Sequence, residues 1–414
     1  MIGRCDMREL QIAALGAQGD GIAKPEGETI FVPFALPSEL VRAEVDGASG
    51  RLIEVVSPSA DRAEPVCRHF GVCGGCVAQH MAPELYQQWK RQIVVDAFAR
   101  AGLETDIAPL VTVPTGSRRR AVFSSRKWET GVILGFHRMG SETIEPIREC
   151  PVLSPAIVSG LSLISGLCGL LLKECRGVRC TALASPIGLE LSFESETGRI
   201  GAANRSRFVE LAAGKHLSRV TLDGDVVLAE AKPMIRFGVA DVVIPPGVFV
   251  QAVAEAEAAM AERVLEAAGK GKQVADLFCG VGTFALRLAR RARVFAVDSD
   301  QAAIGALVTA ARLPGLKPIE TRVRDLLREP LSAKELDKFD VVVFDPPRAG
   351  AKAQAEMLAK SKVKTVVAVS CNPATLARDA RILTDGGYQI GQVTPIDQFV
   401  YSAHVEVVAV LSRG

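Results

Sequence analysis

A thiol at the end of a strongly apolar run is the residue best placed to do chemistry in this sequence. Residues 370–373 (Ser-Cys-Asn-Pro) follow a predicted buried strand at 365–369 and precede a predicted helix. In an open α/β sheet the carboxyl ends of parallel strands face the ligand crevice, so Cys371 is placed to act as a nucleophile. A buried cysteine that only packs is the alternative. The polar neighbours and a second strand-end sequence one βαβ step upstream, residues 345–348 (Asp-Pro-Pro-Arg), argue against it.

A glycine-rich turn between a predicted strand and a predicted helix indicates a nucleotide site. Residues 276–284 (Asp-Leu-Phe-Cys-Gly-Val-Gly-Thr-Phe) allow the backbone to approach a ligand closely at a helix N-terminus. Asp298 ends the next strand, where an acidic side chain can bind the two hydroxyls of an adenosine ribose. NAD and S-adenosylmethionine both contain that ribose. Because the third glycine of the dinucleotide fingerprint is missing, the sequence favours S-adenosylmethionine.

A thiol and a methyl donor together suit methylation of uracil at carbon 5. That carbon is a poor nucleophile until a thiolate adds to carbon 6, and a base must afterwards remove the hydrogen of carbon 5 so that the thiolate can leave. Cys371 suits the first role, and Glu406, surrounded by apolar residues on the last predicted strand, suits the second. A charge that protects an edge strand is the other interpretation of Glu406. Arg348 replaces the aromatic residue typical of amine methylation, which favours a carbon target.

The elements that must position these residues alternate between helices and apolar strands from residue 245 onward. This alternation predicts a doubly wound parallel α/β sheet. The last two predicted strands have no helix between them, which predicts an antiparallel pair at the end of the sheet, as in methyltransferases. The predicted helices are 252–268, 283–290, 301–312, 351–360 and 374–384. The predicted strands are 274–278, 293–297, 339–344, 365–369, one near 390 and 404–411.

Two further units precede this sheet. Short alternating runs with glycine turns between residues 10 and 56 predict a β-barrel of about five strands. We therefore divide the chain into a barrel at 1–57, a central α+β domain at 58–240 and a methyltransferase domain at 241–414. The uncharged stretch 150–172 is interrupted by prolines, serines and glycines, so we interpret it as a loop and a buried helix and not as a membrane span.

Composition limits the kinds of partner. The chain has 414 residues, 48% of them hydrophobic, and a net charge of +2, which excludes a uniformly basic nucleic-acid coat. RNA contacts must then come from local patches. Residues 118–128 carry five cations together with Phe123 and Trp128, so they offer phosphate neutralisation and base stacking, although a solvated basic face is the alternative.

Cysteine usage indicates metal ligation and catalysis. The sequence has ten cysteines and no secretory signal is predicted near its N-terminus, which together favour a reducing cytoplasm over disulfide formation. Cys67, Cys73 and Cys76 lie in one short glycine-rich loop, and a fourth ligand must come from elsewhere. Four thiolates would suit a 4Fe-4S cluster or a zinc ion. We assign the cysteines outside these sites to packing or to the surface: Cys5, Cys168, Cys175, Cys180 and Cys279.

Taken together, these sequences resemble the bacterial RNA 5-methyluridine methyltransferases. The similarity is greatest to the branch that has an N-terminal TRAM domain, an OB-like RNA-binding barrel, and a 4Fe-4S cluster, and that modifies 23S ribosomal RNA. It covers nearly the whole chain. The matching segments are 276–280, 345–348, 370–379 (Ser-Cys-Asn-Pro-Ala-Thr-Leu-Ala-Arg-Asp), 397–399 (Asp-Gln-Phe) and 404–406 (His-Val-Glu).

The resemblance implies a role for individual residues. Cys371 would be the nucleophile and Glu406 the base. Cys150, in Glu-Cys-Pro-Val-Leu at 149–153, would be the fourth ligand of a structural cluster. The residues implied in contacting the methyl donor are Gln251, Phe278, Thr283, Asp298 and Asp345. Relatives often carry asparagine where Thr283 stands, and Asp345 would also lie near the target uridine.

The sequence therefore predicts a cytoplasmic, S-adenosylmethionine-dependent RNA uridine carbon-5 methyltransferase that acts on 23S ribosomal RNA. It predicts no membrane association and no obligate protein partner. The transfer-RNA branch of the family generally lacks both the barrel and the cluster. Two further alternatives are a non-catalytic RNA-binding or ribosome-assembly factor, which the intact Cys371 and Glu406 disfavour, and an amine-directed methyltransferase, which Arg348 disfavours.

Overall fold

The computed structural model describes residues 6–129, 131–198 and 200–414, which leaves Cys5 outside the described residues. The chain begins with a closed five-stranded barrel in the order β1-β2-β3-β5-β4, as predicted. Alternate residues of its strands point inward and form a small apolar core of their own. The barrel strands are β1 (Asp6–Leu15), β2 (Gly21–Ala23), β3 (Ile30–Val32), β4 (Leu40–Asp46) and β5 (Ser49–Ser57), and helix α1 (Pro83–Arg100) follows the cysteine loop.

A seven-stranded sheet with two helices on one face forms the centre of the chain, in the order β12-β11-β10-β9-β6-β7-β8. Its strands are β6 (Arg120–Trp128), β7 (Gly131–His137), β8 (Ile144–Pro146), β9 (Gly177–Ser185), β10 (Gly188–Glu196), β11 (Leu217–Leu222) and β12 (Asp225–Ala229). Helices α2 (Pro155–Leu171) and α3 (Ala202–Ala212) pack on it. The uncharged stretch thus contains a buried helix, as predicted. No helix in the described part of the chain is long and apolar enough to span a bilayer.

The C-terminal sheet has the order β17-β16-β15-β18-β19-β21-β20. Its strands are β15 (Gln273–Leu277), β16 (Arg293–Asp298), β17 (Ile319–Val323), β18 (Val341–Phe344), β19 (Thr365–Ser370), β20 (Gln389–Ile396) and β21 (Glu406–Ser412). Helices α4 (Ala254–Ala268), α5 (Ala285–Leu288), α6 (Gln301–Ala310), α7 (Ala333–Leu336), α8 (Lys352–Lys360) and α9 (Pro373–Asp385) connect them. Strand β21 is antiparallel to both of its neighbours, which confirms the predicted end of the sheet.

Two features of this sheet differ from the sequence prediction. Strand β17 was not predicted, because it lies at the edge of the sheet and three of its five residues are exposed, so it lacks an apolar run. The predicted boundary after residue 240 falls inside a hairpin of β13 (Met234–Phe237) and β14 (Ala240–Val243). The inward side chains of both hairpin strands pack into the core beneath the C-terminal sheet. The hairpin therefore belongs with that sheet.

Helix α1, which the sequence analysis did not identify, joins the barrel to the C-terminal sheet. Its apolar side chains pack against α9 and β20 in the same core as the sheet's strands. The indole Nε1 of the buried Trp89 also donates a hydrogen bond of 2.8 Å to the carbonyl oxygen of Gly16 in the barrel. A helix from the predicted central domain thus forms part of the core of the predicted methyltransferase domain.

Candidate active site and cysteine cavity

One cavity of about 530 Å³ lies at the carboxyl ends of the C-terminal strands, and we call it the strand-end cavity. All of the non-metal site residues predicted from the sequence line it: Gln251, Phe278, Thr283, Asp298, Asp345, Cys371 and Glu406. They come from segments far apart in the chain, and the parallel strands bring them to one edge. The structure therefore places the candidate nucleophile, the candidate base and the candidate donor-binding residues in one chamber.

The glycine turn between β15 and α5 takes the conformation that a close ligand approach requires. Phe278 has a φ of 61°, and Gly280 and Gly282 have φ values of 53° and 95°. The carboxylate of Asp298 holds this turn, since its Oδ2 accepts a hydrogen bond of 2.8 Å from the backbone N–H of Gly280. Asp298 is thus fixed beside the turn, where it can face a ribose.

Replacing Gly282 with alanine is expected to lower the free energy of unfolding by about 3 kcal/mol, because the new Cβ is crowded and the left-handed backbone is strained. That Cβ would lie 2.5 Å from Cδ1 of the buried Leu307. Gly280→Ala is the matched control, since no atom that the structure describes lies within 4 Å of the position that its Cβ would take and the expected loss is about 1 kcal/mol. Thermal unfolding measures both losses. Equal losses would contradict the crowding at Leu307.

A chain of amide hydrogen bonds joins the two carboxyl groups of the cavity. The Nε2 of Gln251 donates to Asp345 Oδ2 at 3.1 Å. The Nε2 of Gln398 donates both to Gln251 Oε1 at 2.8 Å and to Glu406 Oε1 at 2.9 Å. Among the described residues, the buried Oε2 of Glu406 has no hydrogen-bond partner. That oxygen is free to accept a proton from a bound substrate.

Burial sets the protonation of these carboxyl groups. It raises the pKa of Glu406 to about 8, with a further contribution from the charge of Asp345, while the Gln398 hydrogen bond acts in the opposite direction. Burial likewise raises the pKa of Asp345 to about 7. The two groups interact and therefore titrate as a pair near neutral pH. Glu406 lies on an interior strand, so the edge-strand interpretation of this residue is wrong.

The thiol of Cys371 lies between β19 and α9, at the start of the helix. The side chain of Asn372 caps that helix by accepting from the N–H of Ala374 at 3.1 Å, and its Nδ2 donates to the carbonyl oxygen of Arg348 at 3.2 Å. The hydrogen bond between Asn372 and Arg348 joins the two strand-end sequences, residues 345–348 and 370–373. Burial, Glu406 and Asp345 raise the pKa of Cys371 to about 11, whereas Arg348 lowers it. The thiol is therefore protonated until a substrate changes its surroundings.

A second cavity, of about 400 Å³, is lined by Cys67, Cys73, Cys76 and Cys150, and we call it the cysteine cavity. The loop that carries the first three lies against β7. Gly74 N–H donates to the His137 carbonyl oxygen at 2.9 Å, and a Cβ on residue 74 would lie 2.9 Å from that oxygen. Within the described ranges, no three His, Cys, Asp or Glu side chains are arranged to hold a single metal ion.

The four thiols suit a group that needs several thiolates. Burial raises the pKa of Cys76 to about 12, and the neighbouring thiols Cys150, Cys73 and Cys67 raise it further. Burial also raises the pKa of Cys73 and Cys150. A positively charged centre would favour the thiolate form of these cysteines. The donor set would suit an iron-sulfur cluster or a zinc ion, and Phe399 lines both this cavity and the strand-end cavity.

The basic segment 118–128 is less available to RNA than the sequence predicted. Arg119 Nη2 bonds Glu257 at 2.7 Å, and Arg126 Nη2 lies 2.6 Å from Glu196. Phe123 is completely buried in the core of the central sheet, because its side chain faces the helices. Phe123 therefore cannot offer the base stacking that the sequence suggested for it. Trp128 remains exposed, at 60% of its surface.

Two arginines of this segment face the cavities instead. The guanidinium carbon of Arg118 lies 5.7 Å from the ring centre of Phe399, and that of Arg120 lies 5.6 Å from the ring centre of Phe249. Both arginines line the cysteine cavity. Cationic and aromatic side chains thus lie together at the lining of the two cavities.

Gln398 is the residue of the site that the sequence analysis did not assign. It is 2% exposed and connects Gln251 with Glu406 through its single amide nitrogen. The signal was present, because Gln398 stands in the segment 397–399 that carries part of the family resemblance. A polar side chain just ahead of a buried strand gives no indication of which partner it will reach.

Comparison with known proteins finds relatives that match nearly the whole chain. A family model described as tRNA (Uracil-5-)-methyltransferase matches residues 316–414, which include Asp345, Cys371 and Glu406. The chain is 48% identical over 408 residues to a protein of Brucella suis named an uncharacterised RNA methyltransferase, covering 98% of each chain. It is 34% identical over 434 residues to the 23S rRNA (uracil(1939)-C(5))-methyltransferase of Alkalilimnicola ehrlichii, covering 98% of this chain and 96% of that protein.

A solved structure has the same fold over the whole chain. It is the tRNA (uracil-54, C5)-methyltransferase of Pyrococcus abyssi in complex with S-adenosyl-L-homocysteine, which superposes with a TM-score of 0.73. The match covers 98% of this chain and all of that one, at 24% sequence identity. At this identity the similarity establishes the fold and leaves the substrate open.

Proposed function

The chain belongs to the tRNA (uracil-5-)-methyltransferase family of S-adenosylmethionine-dependent RNA methyltransferases, and from this premise we propose that it forms 5-methyluridine in 23S ribosomal RNA. The observation that carries the proposal is the strand-end cavity, which holds Cys371 and Glu406 together. The named 23S enzyme, matched along its full length at 34% identity, supports ribosomal over transfer RNA.

Cys371 begins the proposed reaction. Its thiol loses a proton and the sulfur bonds to carbon 6 of uracil, which moves the ring electrons toward carbon 5 and the carbonyl oxygen. S-adenosylmethionine supplies the methyl group that carbon 5 then takes. Because burial keeps the thiol protonated in the free protein, we infer that its proton passes to a carboxylate of the cavity when the nucleotide binds.

Glu406 completes the proposed reaction. Its carboxylate removes the hydrogen from carbon 5, the electron pair of that bond forms the carbon 5–carbon 6 double bond, and the bond between carbon 6 and sulfur breaks. Gln398 fixes one oxygen of Glu406, and the unpartnered Oε2 is the atom that takes the proton. The Gln251 amide orients Asp345 in the same cavity.

We also propose that the cysteine cavity holds a 4Fe-4S cluster through Cys67, Cys73, Cys76 and Cys150. The resemblance to the cluster-containing branch of the family favours this group over zinc, which four thiolates would also suit. A reducing compartment such as the cytoplasm would preserve both the cluster and the free Cys371. Anaerobic purification should give iron and acid-labile sulfide in equal amounts. Zinc without sulfide would contradict the cluster.

The target is tested by mapping 5-methyluridine in RNA from cells that lack this protein. Loss of the modification from 23S ribosomal RNA, and its return with the intact gene, would support the proposal. Loss from transfer RNA alone would overturn the ribosomal assignment. Incubation of the purified protein with 5-fluorouridine RNA and methyl donor tests the mechanism, because fluorine at carbon 5 blocks elimination and should leave a covalent protein–RNA adduct.

Product release should depend on pH in the direction set by the raised pKa of Glu406. A carboxyl with a pKa of about 8 is protonated at lower pH and cannot act as a base. The elimination rate should therefore rise about tenfold per pH unit up to about pH 8 and then level off. Single-turnover assays that follow free 5-methyluridine between pH 6 and pH 9 measure this dependence. A rate already constant above pH 6 would contradict it.

A further inference from the structure

Lys90 on helix α1 is a completely buried lysine, with 0% of its surface exposed. Lysine is almost never fully buried unless its charge is paired, because an ammonium group loses its hydration in the protein interior. Burial lowers the pKa of Lys90, and the nearby Asp397 raises it. Lys90 lies outside the lining of the strand-end cavity. The reaction described above gives it no role.

The ammonium of Lys90 has three oxygen partners, one in an ion pair and two in hydrogen bonds, and all three lie in the connection between β20 and β21. Lys90 Nζ lies 2.8 Å from Asp397 Oδ1 and donates to the carbonyl oxygen of Phe399 at 3.1 Å. It also donates to the carbonyl oxygen of His404. Lys90 therefore fixes both ends of this connection, residues 397–405.

Tyr86, one helical turn before Lys90, strengthens the same attachment. Its hydroxyl donates to Asp397 Oδ2 at 2.6 Å and accepts from the N–H of Tyr401 at 2.8 Å. Tyr401 has a φ of 61°, and its carbonyl oxygen accepts from the N–H of Val77 at 2.7 Å. The connection is held from helix α1 and from the cysteine loop.

This connection carries the groups that orient the base. Gln398 lies between two acceptors of Lys90 along the chain and donates to Glu406 Oε1. Glu406 follows the third acceptor, His404, by two residues. A change at Lys90 would thus move Gln398 and Glu406 together, whereas Cys371 lies on β19 and α9, which Lys90 does not hold.

We propose that Lys90 is a positioning residue for proton removal by Glu406, acting through the connection of residues 397–405. This inference rests on the proposed function, since it assigns Lys90 to the elimination half of that reaction. It separates the two halves by structure: Lys90 holds the segment that orients Glu406, the base of the elimination, and does not hold Cys371, which makes the addition.

The test compares Lys90→Met with Arg91→Met, using RNA that contains ordinary uridine. Arg91 is the matched control, because it is the next residue of α1 and also binds backbone carbonyls, those of Ile107 and Ala108, away from Glu406. In Lys90→Met, methyl transfer should stay within about threefold of the unmodified protein while elimination slows about tenfold or more. A methylated protein–RNA adduct should therefore accumulate, and Arg91→Met should show none.

The double variant Lys90→Met/Asp397→Asn controls for misfolding. Lys90→Met alone leaves the buried carboxylate of Asp397 without its ion-pair partner, and Asp397→Asn removes that negative charge. The double variant should accumulate the same adduct. Adduct release at the normal rate, or an equal loss of methyl transfer and elimination in both Lys90 variants, would overturn the inference. Failure of the unmodified protein to form an adduct with 5-fluorouridine RNA would instead overturn the proposed function.

Discussion

Cys371→Ala is expected to reduce 5-methyluridine formation by about 10⁴-fold or more, as befits removal of a nucleophile. Without the sulfur, carbon 6 receives no electron pair, and carbon 5 remains too weak a nucleophile to take the methyl group. Methyl transfer to RNA from a radiolabelled donor measures this loss. The same variant should form no covalent adduct with 5-fluorouridine RNA, since the bond that would be trapped is the missing one.

Cys175→Ala is the control for this experiment. Cys175 is buried in the core of the central sheet, away from both cavities, so its replacement tests the general cost of losing a buried thiol. Its methylation rate should stay within about threefold of that of the unmodified protein, because loss of this buried thiol removes only a modest amount of packing energy. Full methylation by Cys371→Ala would remove the covalent mechanism.

Glu406→Gln is expected to slow release of the methylated RNA while methyl transfer to carbon 5 still occurs. The amide keeps the shape of the side chain and its hydrogen bond from Gln398, but it cannot take a proton. Elimination should slow by about 10² to 10⁴-fold, the usual contribution of a general base. Because addition and methyl transfer precede that step, a methylated protein–RNA adduct should accumulate on ordinary uridine RNA, where gel electrophoresis under denaturing conditions detects it.

Glu190→Gln provides the matched control, because Glu190 is another buried carboxyl but lies in the central sheet and pairs with Arg219. Burial raises its pKa as well, so the two variants change groups of similar character. Glu190→Gln should accumulate no adduct, although its thermal stability should fall. If Glu406→Gln released its product normally, the proton would have to leave through a different group, with Asp345 as the next candidate in the cavity.

The strand-end residues could be predicted because a local pattern marks each of them. Cys371 and Asp345 each follow a run of buried apolar residues, and parallel strands bring such positions to one edge regardless of what lies between them. The glycine turn at 276–284 was recognisable for the same reason. Periodicity and turn chemistry are properties of short segments, and the sequence displays them directly.

The partnerships between distant segments could not be predicted in the same way. Helix α1 was missed although Tyr86, Lys90, Ile93 and Ala97 share one buried face at helical spacing. A lysine at one of these positions is expected to be exposed to solvent, because the sequence does not show the three oxygens that surround its ammonium group. Arg119 was predicted to contact RNA for a similar reason, because its charge is visible in the sequence and its partner Glu257 is not identifiable there.

The position of helix α1 in the chain also determines how long it is exposed during synthesis. Lys90 and the Phe399 carbonyl that it binds are 309 residues apart in the chain, so at ordinary elongation rates the ribosome makes the helix roughly 15 to 60 s before its covering strands. Throughout that interval the apolar face of α1 has no sheet to cover it. A protein halted before its last fifty residues would lack α9, β20 and β21, so the side chains of α1 that pack against α9 and β20 would be exposed and prone to aggregation.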